Sequence, residues 1–353
     1  MKTALAFAAL ALLATSAHAA DRITEQRTVG AFSSVELSGP YRVVVHARGT
    51  PGVRLEGEVA TLAQIETTLR GDTLIVRTLP RSGSWFSWGG ERPKVLITVT
   101  GSGLQRVKAS GSGDVELDGL DGANVELANS GPGDLRASGA VGVLLVRSSG
   151  AGDVDLQAVT SASLDLAMSG PGNVKLGAVG AELTATVSGS GDLLAHDLTL
   201  TRATVRQSGP GDVRLAGSAR DLQAVLNGSG DLKACKLAVE SVNLVQSGPG
   251  DACVGGRIRQ FVAQLRGSGD LTAGTLQAQH ARLVISGPGS AKIGGTVVQL
   301  EAVVRGSGSL DGKQLLANRA DVNASGPGDA SLMLGNERDS VLTTWSRHGM
   351  NQR

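Results

Sequence analysis

SGSGDLLAHDLTLTRATVRQSGPGDV, residues 188–213, contains two successive copies of a short motif, Gly-Ser-Gly-Asp and Gly-Pro-Gly-Asp. The motif recurs about every 20 residues, with steps that differ by one in strict alternation. Ser alternates with Pro or Ala at its second position, so residues 101–335 comprise twelve repeat units, paired as a 39-residue repeat. The last residue of each motif is Asp114, Asp134, Asp153, Asn173, Asp192, Asp212, Asp231, Asp251, Asp270, Ser290, Ser309 or Asp329.

Apolar residues around each motif recur with period two, as in Val115 and Leu117, which is the pattern of a β-strand. A second alternating stretch precedes each motif, as in Leu164 and Leu166, and a turn separates the two stretches. Units this short cannot bury a core alone, so they must stack. The sequence predicts an all-β fold, a right-handed parallel β-helix with coils of about 20 residues and the motif at a corner. A coil of about 39 residues, with like corners stacked on each other, remains an alternative.

The corner motif suggests how each coil turns. Asp and Asn side chains accept hydrogen bonds from nearby backbone N–H groups, so we expect an Asx-type turn with each Gly at positive φ. Stacked corners would also place carboxylates ~5 Å apart, a spacing at which they could bind Ca²⁺. We expect no other cofactor. The candidate metal ligands are Asp114, Asp134 and Asp153.

The N-terminus has the features of a secretory signal peptide, residues 1–19. Lys2 precedes an apolar run that ends near Ala14, and a small-residue cleavage site follows at Ala17-His18-Ala19. The run is too short to span a membrane, so we expect export to the periplasm, the cell surface or the medium, without a transmembrane anchor. With 33 basic and 32 acidic residues, the chain lacks the positive charge that would indicate a nucleic-acid partner.

The segments that flank the regular repeat are less periodic. Residues 20–100 are predicted to form irregular β coils and an N-terminal cap, because the ends of a solenoid need atypical units. Within them, residues 80–93 are predicted to form a Gly- and Ser-rich loop. Residues 336–353 are predicted to form a C-terminal cap and tail.

An exported chain with Phe32-x-x-Val35-x-Leu37 near its start, followed by repeated Ser-Gly-Ser-Gly-Asp-Val corners such as residues 110–115, resembles a known family. It is similar to the head GIN domain family of putative auto-transporter adhesins over about residues 30–335. The resemblance implies a right-handed β-helix and an adhesin-like role, and it supplies no catalytic residues.

Three features outside the corners are candidates for contact with a partner or for cross-linking. The aromatic residues Trp85, Phe86 and Trp88 could stack on sugar rings or cover an end of the solenoid. Cys235 and Cys253 lie in adjacent coils, and an unbroken register places their Cα atoms roughly 8 Å apart, so a disulfide requires a shift in register. The outer face of the second strand should align four valines as a contact stripe: Val225, Val245, Val284 and Val303.

These observations favour an exported, non-enzymatic β-solenoid scaffold of the cell envelope. Its expected partners are a cell-surface polysaccharide, a protein or a second copy of the chain. The alternative is a polysaccharide lyase or hydrolase built on a β-helix. Such an enzyme needs clustered acids in a cleft formed by irregular loops, and the uniform spacing of the repeat leaves no room for those loops. We therefore expect no catalytic residues.

Overall fold

The computed structural model describes residues 22–79, 95–336, 339–346 and 349–352. The strands in these residues join into one sheet that winds into a parallel β-solenoid. The predicted all-β class is confirmed, since the helix assigned in this part of the chain is a single turn.

The N-terminal part contains eight strands and this helix. They are β1 (Arg22–Arg27), β2 (Ser34–Leu37), β3 (Arg42–His46), β4 (Gly52–Glu58), α1 (Val59–Leu62), β5 (Ile65–Arg70), β6 (Thr73–Thr78), β7 (Leu96–Thr100) and β8 (Arg106–Ala109).

The regular repeat consists mainly of long strands that run from one corner to the next. They are β9 (Val115–Asn129), β10 (Leu135–Ser148), β11 (Val154–Met168), β12 (Val174–Leu176), β13 (Val179–Val187), β14 (Leu193–Gln207), β15 (Val213–Leu226), β16 (Leu232–Gln246), β17 (Ala252–Gly255), β18 (Ile258–Leu265), β19 (Leu271–Ile285), β20 (Ala291–Val304) and β21 (Leu310–Ala324). The chain then continues into β22 (Ala330–Asn336), β23 (Asp339–Ser346) and β24 (Gly349–Gln352).

Strand pairing defines the length of the coil. Leu135 in β10 pairs in parallel with Val115 in β9 and with Val154 in β11, which lie at the same position of the preceding and the following repeat unit. One coil is therefore one repeat unit, and the solenoid has about 11 turns. The predicted coil of about 20 residues is confirmed, and the alternative of a coil twice as long is wrong.

A one-residue bulge explains why the unit length alternates. Ala137 pairs with Leu117, but the next paired residues are Gly139 and Leu120. Two residues of β9 thus lie opposite one residue of β10, and β14 and β19 show the same shift against their following strands. A bulge bends its strand while leaving the ladder intact on both sides. Most coils accordingly form one bent strand rather than the predicted two strands separated by a turn.

The interior is a single hydrophobic core of stacked Val, Leu, Ile and Ala rows. The first unit of each pair places a large side chain inside just after the bulge, such as Leu120 or Leu198, and both are fully buried. Their neighbours in the next coil are Gly139 and Gly217, so a leucine side chain alternates with a glycine along the stack. The bulge thus sets the position at which side-chain size alternates along the stack.

The N-terminal coils do not stack in chain order. β3 lies between β7 and β9, while β2 lies between β6 and β8. The coil formed by β6 and β7 is therefore outside the coil formed by β2 and β3, although it comes later in the chain. Antiparallel strands complete this end: β4 pairs with β7, β1 pairs with β4, and β5 pairs with β6.

The C-terminal end is also closed by antiparallel pairing. β23 folds back on β22, and β24 folds back on β23. Between these two ends, every paired strand of the regular repeat presents one row of side chains inward and the next row outward. The outward rows supply the surfaces described below.

Candidate functional site

The twelve corner residues form a continuous row, here called the corner row. Oδ1 of Asp114 accepts a hydrogen bond from the backbone N–H of Asp134 at 3.1 Å, and Oδ1 of Asp134 accepts one from the N–H of Asp153 at 2.9 Å. The same bond repeats to Asp329, with Asn173 and two serine hydroxyls as acceptors in their coils. Each corner side chain from Asp114 to Ser309 therefore binds the next coil of the solenoid.

This geometry corrects two expectations about the corner. The predicted Asx-type turn is wrong, because the N–H that reaches each carboxylate belongs to the following coil rather than to the same turn. The motif glycines from Gly111 to Gly328 also lack the expected positive φ. A Cβ atom on any of them would lie under 3.0 Å from backbone atoms of the preceding coil, as Gly209 would against the carbonyl oxygen of Gly189. Close stacking, rather than φ, requires glycine there.

The first three corners of the regular repeat border an open groove of about 320 Å³, here called the corner groove. Arg42 and Arg136 extend from the groove wall toward a second row of acids. The guanidinium of Arg42 lies 3.0 Å from Glu116, and that of Arg136 lies 3.6 Å from Asp155. Lys175 also lines the groove. Five acidic and three basic side chains in all give the corner groove a mixed, slightly negative lining.

The candidate metal ligands Asp114, Asp134 and Asp153 all line the corner groove. Their Oδ1 atoms are engaged by the next coil, and within the described residues no hydrogen bond or ion pair reaches their Oδ2 atoms. No group of three or more His, Cys, Asp or Glu side chains in the described part of the chain is arranged to hold a metal ion. Calcium binding by this row stays a prediction.

Further along the corner row, basic side chains cover the carboxylates. The guanidinium of Arg214 lies 2.8 Å from both Asp192 and Asp212, and the ammonium of Lys233 lies 2.7 Å from Asp212 and 3.2 Å from Asp231. Burial alone would raise the pKa of Asp212. The backbone N–H of Asp231 and the charges of Lys233 and Arg214 outweigh that effect and hold the pKa of Asp212 below its usual value. The outer oxygens are therefore available at the corners that line the corner groove and neutralised at Asp192, Asp212 and Asp231.

The four predicted contact valines lie in one outward row, but the row is not continuous. Val225 pairs with Val245, and Val284 pairs with Val303, while Gln264 lies between the two pairs. Val225 is 37% exposed and the other three valines are partly buried. We call Val225, Val245, Gln264, Val284 and Val303 the valine row.

Cys235 and Cys253 are joined by a disulfide, with Cα atoms 5.2 Å apart. An unbroken register would have placed them roughly 8 Å apart. The register breaks at this point, because Ala234 pairs with Val254 but the next paired residues are Ala238 and Gly255. The extra residues bring Cys235 toward the neighbouring coil, which is the register shift that the bridge requires.

The third predicted contact feature, Trp85, Phe86 and Trp88, lies outside the described residues. Its role in partner contact therefore stays a prediction.

Three buried amides were missed by the sequence analysis. The Nδ2 group of Asn129 donates to the carbonyl oxygen of Gly133, and Gln207 and Gln246 donate in the same way to the glycines four residues on. All three side chains are almost fully buried, so each amide supports a corner from inside the core. Their signal was present in the sequence, since each directly precedes a Ser-Gly-Pro corner.

No helix in the described ranges is long and apolar enough to cross a membrane. The fold and its outward rows define a class, the parallel β-solenoids with a repetitive outer surface. A family model described as putative auto-transporter adhesin, head GIN domain, matches residues 31–216, 180–259 and 256–342. The chain belongs to this family, because the matches span well over half of its length.

Solved structures similar to this chain include two described as putative adhesins. One, from Bacteroides fragilis NCTC 9343, is 18% identical, with 87% of this chain and 95% of that chain covered and a TM-score of 0.26. Another, from Parabacteroides merdae ATCC 43184, is 13% identical, with 87% and 95% covered and a TM-score of 0.34. A putative lipid binding protein from Parabacteroides distasonis ATCC 8503 is 14% identical, with 87% and 96% covered and a TM-score of 0.35. No curated protein matches the chain.

Proposed function

We propose that this protein is an exported, non-enzymatic scaffold that binds a polysaccharide of a cell surface along the corner groove. The observation that carries the proposal is the open groove beside the first three corners. Asp114, Asp134 and Asp153 present outer carboxylate oxygens to this groove, whereas Arg214 and Lys233 cover those of Asp192, Asp212 and Asp231.

The chemistry of the corner groove suits a hydroxyl-rich ligand. Carboxylates accept hydrogen bonds from sugar hydroxyls, while guanidinium and ammonium groups such as those of Arg136 and Lys175 donate to sugar oxygens. The corners repeat at ~4.8 Å along the solenoid, so a linear polymer would meet equivalent groups in successive coils. Membership of an adhesin family supports the same conclusion.

A glycan array with the purified chain tests this proposal. Binding should weaken about tenfold or more when Asp134→Asn and Asp153→Asn are combined, since charge-assisted hydrogen bonds are lost. Asn retains the acceptor that holds the next coil, as Asn173 does naturally. The matched control combines Asp251→Asn and Asp270→Asn, two corners that do not line the corner groove.

Three outcomes would count against the proposal. A lack of binding to any glycan on the array would argue against a polysaccharide ligand. An equal loss of binding in the control variant would show that the corner groove is not the binding site. Release of shortened glycan products that stops in the Asp134→Asn and Asp153→Asn variant would instead support the enzymatic alternative.

A further inference from the structure

The outward face of the second half of each coil carries mostly uncharged side chains over five successive coils, with Asp221, Arg282 and Glu301 as the acidic and basic exceptions. The valine row runs along this face with the order Val, Val, Gln, Val, Val, one residue from each coil. The order is the same in both directions. A surface with this symmetry can pack against a copy of itself turned end over end.

We infer that this face forms an isologous homodimer with a second copy of the chain. A twofold axis parallel to the strands and passing through Gln264 places Val245 opposite Val284 of the second copy. The same axis places Val225 opposite Val303 of the second copy, so all four valines of each chain meet a valine. The inference does not depend on glycan binding, because the corner groove lies on a different face.

The adjacent outward row, two residues earlier in each coil, obeys the same symmetry. Val262, which is 37% exposed, lies on the axis and meets its own copy. Asn243 falls opposite Arg282 of the second copy. One coil further from the axis on each side, Gln223 falls opposite Glu301 of the second copy. Amides therefore face the charged groups in this row, and a shallow depression beside Val262 leaves room for them.

The third outward row contributes Asp221, which falls opposite Gln299 of the second copy. No like charges meet over the five coils. The charged groups already have partners within the chain, since Asp221 lies 3.3 Å from Arg220 and Arg282 lies 3.6 Å from Glu301. Burying this face therefore leaves no unpaired charge, which is the main electrostatic penalty of association.

The size of the face predicts how tight the dimer is. Five coils at ~4.8 Å and three outward rows at ~6.7 Å define a patch of about 500 Å² per copy, or about 1,000 Å² in total. This is at the lower limit of specific interfaces. The dimer should be weak, and dissociation should be measurable at micromolar to millimolar concentrations of the chain.

Sedimentation equilibrium of the purified chain between about 5 and 500 µM tests the inference. The chain should show a concentration-dependent dimer. Val262→Arg, which sets two guanidinium groups against each other on the axis, should raise the dissociation constant at least about tenfold. The control is Val143→Arg, because Val143 is 45% exposed on the same sheet face but lies outside the five coils. It should leave the dimer unchanged.

A second pair of variants tests the orientation. Asn243→Glu should tighten the dimer by facing Arg282 of the second copy, and Asn243→Arg should weaken it. A monomer at all concentrations, a dimer insensitive to Val262→Arg, or equal effects of the two Asn243 variants would each overturn the inference. A monomer that still binds glycans would overturn the dimer and leave the proposed function standing.

Discussion

Asn173 accepts a hydrogen bond through Oδ1 from the backbone N–H of Asp192, one coil further along, at 2.9 Å. Asp153 makes the same bond to Asn173 at 2.8 Å with a carboxylate. The stack therefore requires an acceptor at this position but not a negative charge. The negative charge of the aspartates is therefore not needed for stacking. The structural role of the corner row is distinct from its proposed role in binding.

The first prediction concerns this acceptor. Oδ1 of Asp251 accepts the N–H of Asp270 at 2.8 Å. Asp251→Ala should lower the free energy of unfolding by about 1 kcal/mol, because the N–H of Asp270 loses its partner within the protein. Asp251→Asn should change it by less than about 0.5 kcal/mol. Urea unfolding measures both variants, and equal losses would show that the inter-coil bond does not matter.

The second prediction concerns the motif glycines. Gly209→Ala places a Cβ against the carbonyl oxygen of Gly189 and should destabilise the solenoid by about 2 kcal/mol or more. Gly274 is the matched control, since a Cβ there meets no atom within 4 Å and its φ is not positive. Gly274→Ala should be neutral within about 0.5 kcal/mol in the same urea titration. A neutral Gly209→Ala would contradict the close-stacking explanation.

The third prediction is a pH dependence. Because the folded state lowers the pKa of Asp212, the unfolded chain binds the proton more readily at acidic pH. The stability that this carboxylate contributes is complete above its unfolded pKa and is lost as the pH falls through the folded pKa. Asp212→Asn, which cannot titrate, should lose less stability than the wild type between about pH 6 and pH 3.

Thermal unfolding across this range measures the effect. Lys233→Met should also flatten the acid dependence, because it removes the ammonium that lies 2.7 Å from Asp212. Identical slopes for the wild type and Asp212→Asn would show that this carboxylate does not contribute.

The fourth prediction concerns the disulfide. Cys235 and Cys253 are 18 residues apart, and opening a loop of this size should cost about 3 kcal/mol of stability. Dithiothreitol should therefore lower the urea midpoint of the wild type. The control is the double variant Cys235→Ser, Cys253→Ser, whose midpoint should be low from the start and unchanged by the reductant. A wild type that is insensitive to the reductant would contradict the prediction, once a thiol assay shows reduction.

The repeat made the coil unusually accessible to sequence analysis. Period-two strands such as Val213 and Leu215 and the recurring corners predict stacked coils, and the residues that face the core follow from alternation. The bulge could not be predicted from the sequence, because no particular residue type marks the extra residue near Asp118 and Gly119. It is identified only by the strand pairing, in which Gly139 lies opposite Leu120. The disulfide between Cys235 and Cys253 likewise depends on a local shift in strand register.

The candidate site divides in the same way. The sequence identified Asp114, Asp134 and Asp153 as a row, but not that each Oδ1 is engaged by the next coil. It also could not show that Arg42 and Arg136 turn toward Glu116 and Asp155, because side-chain pairing across coils depends on rotamers and on register.

By itself, the sequence determined the all-β class, the length of the repeat unit and the identity of the corner residues, because alternation and periodicity are properties of the chain order. Only the tertiary structure showed which coil each N-terminal strand joins and which corner carboxylates keep a free oxygen. It also showed that close stacking of the coils excludes a Cβ atom at the motif glycines. The physical reason is that these features arise between coils. They depend on contacts between residues at least one repeat unit apart, which stacking creates and no local pattern encodes.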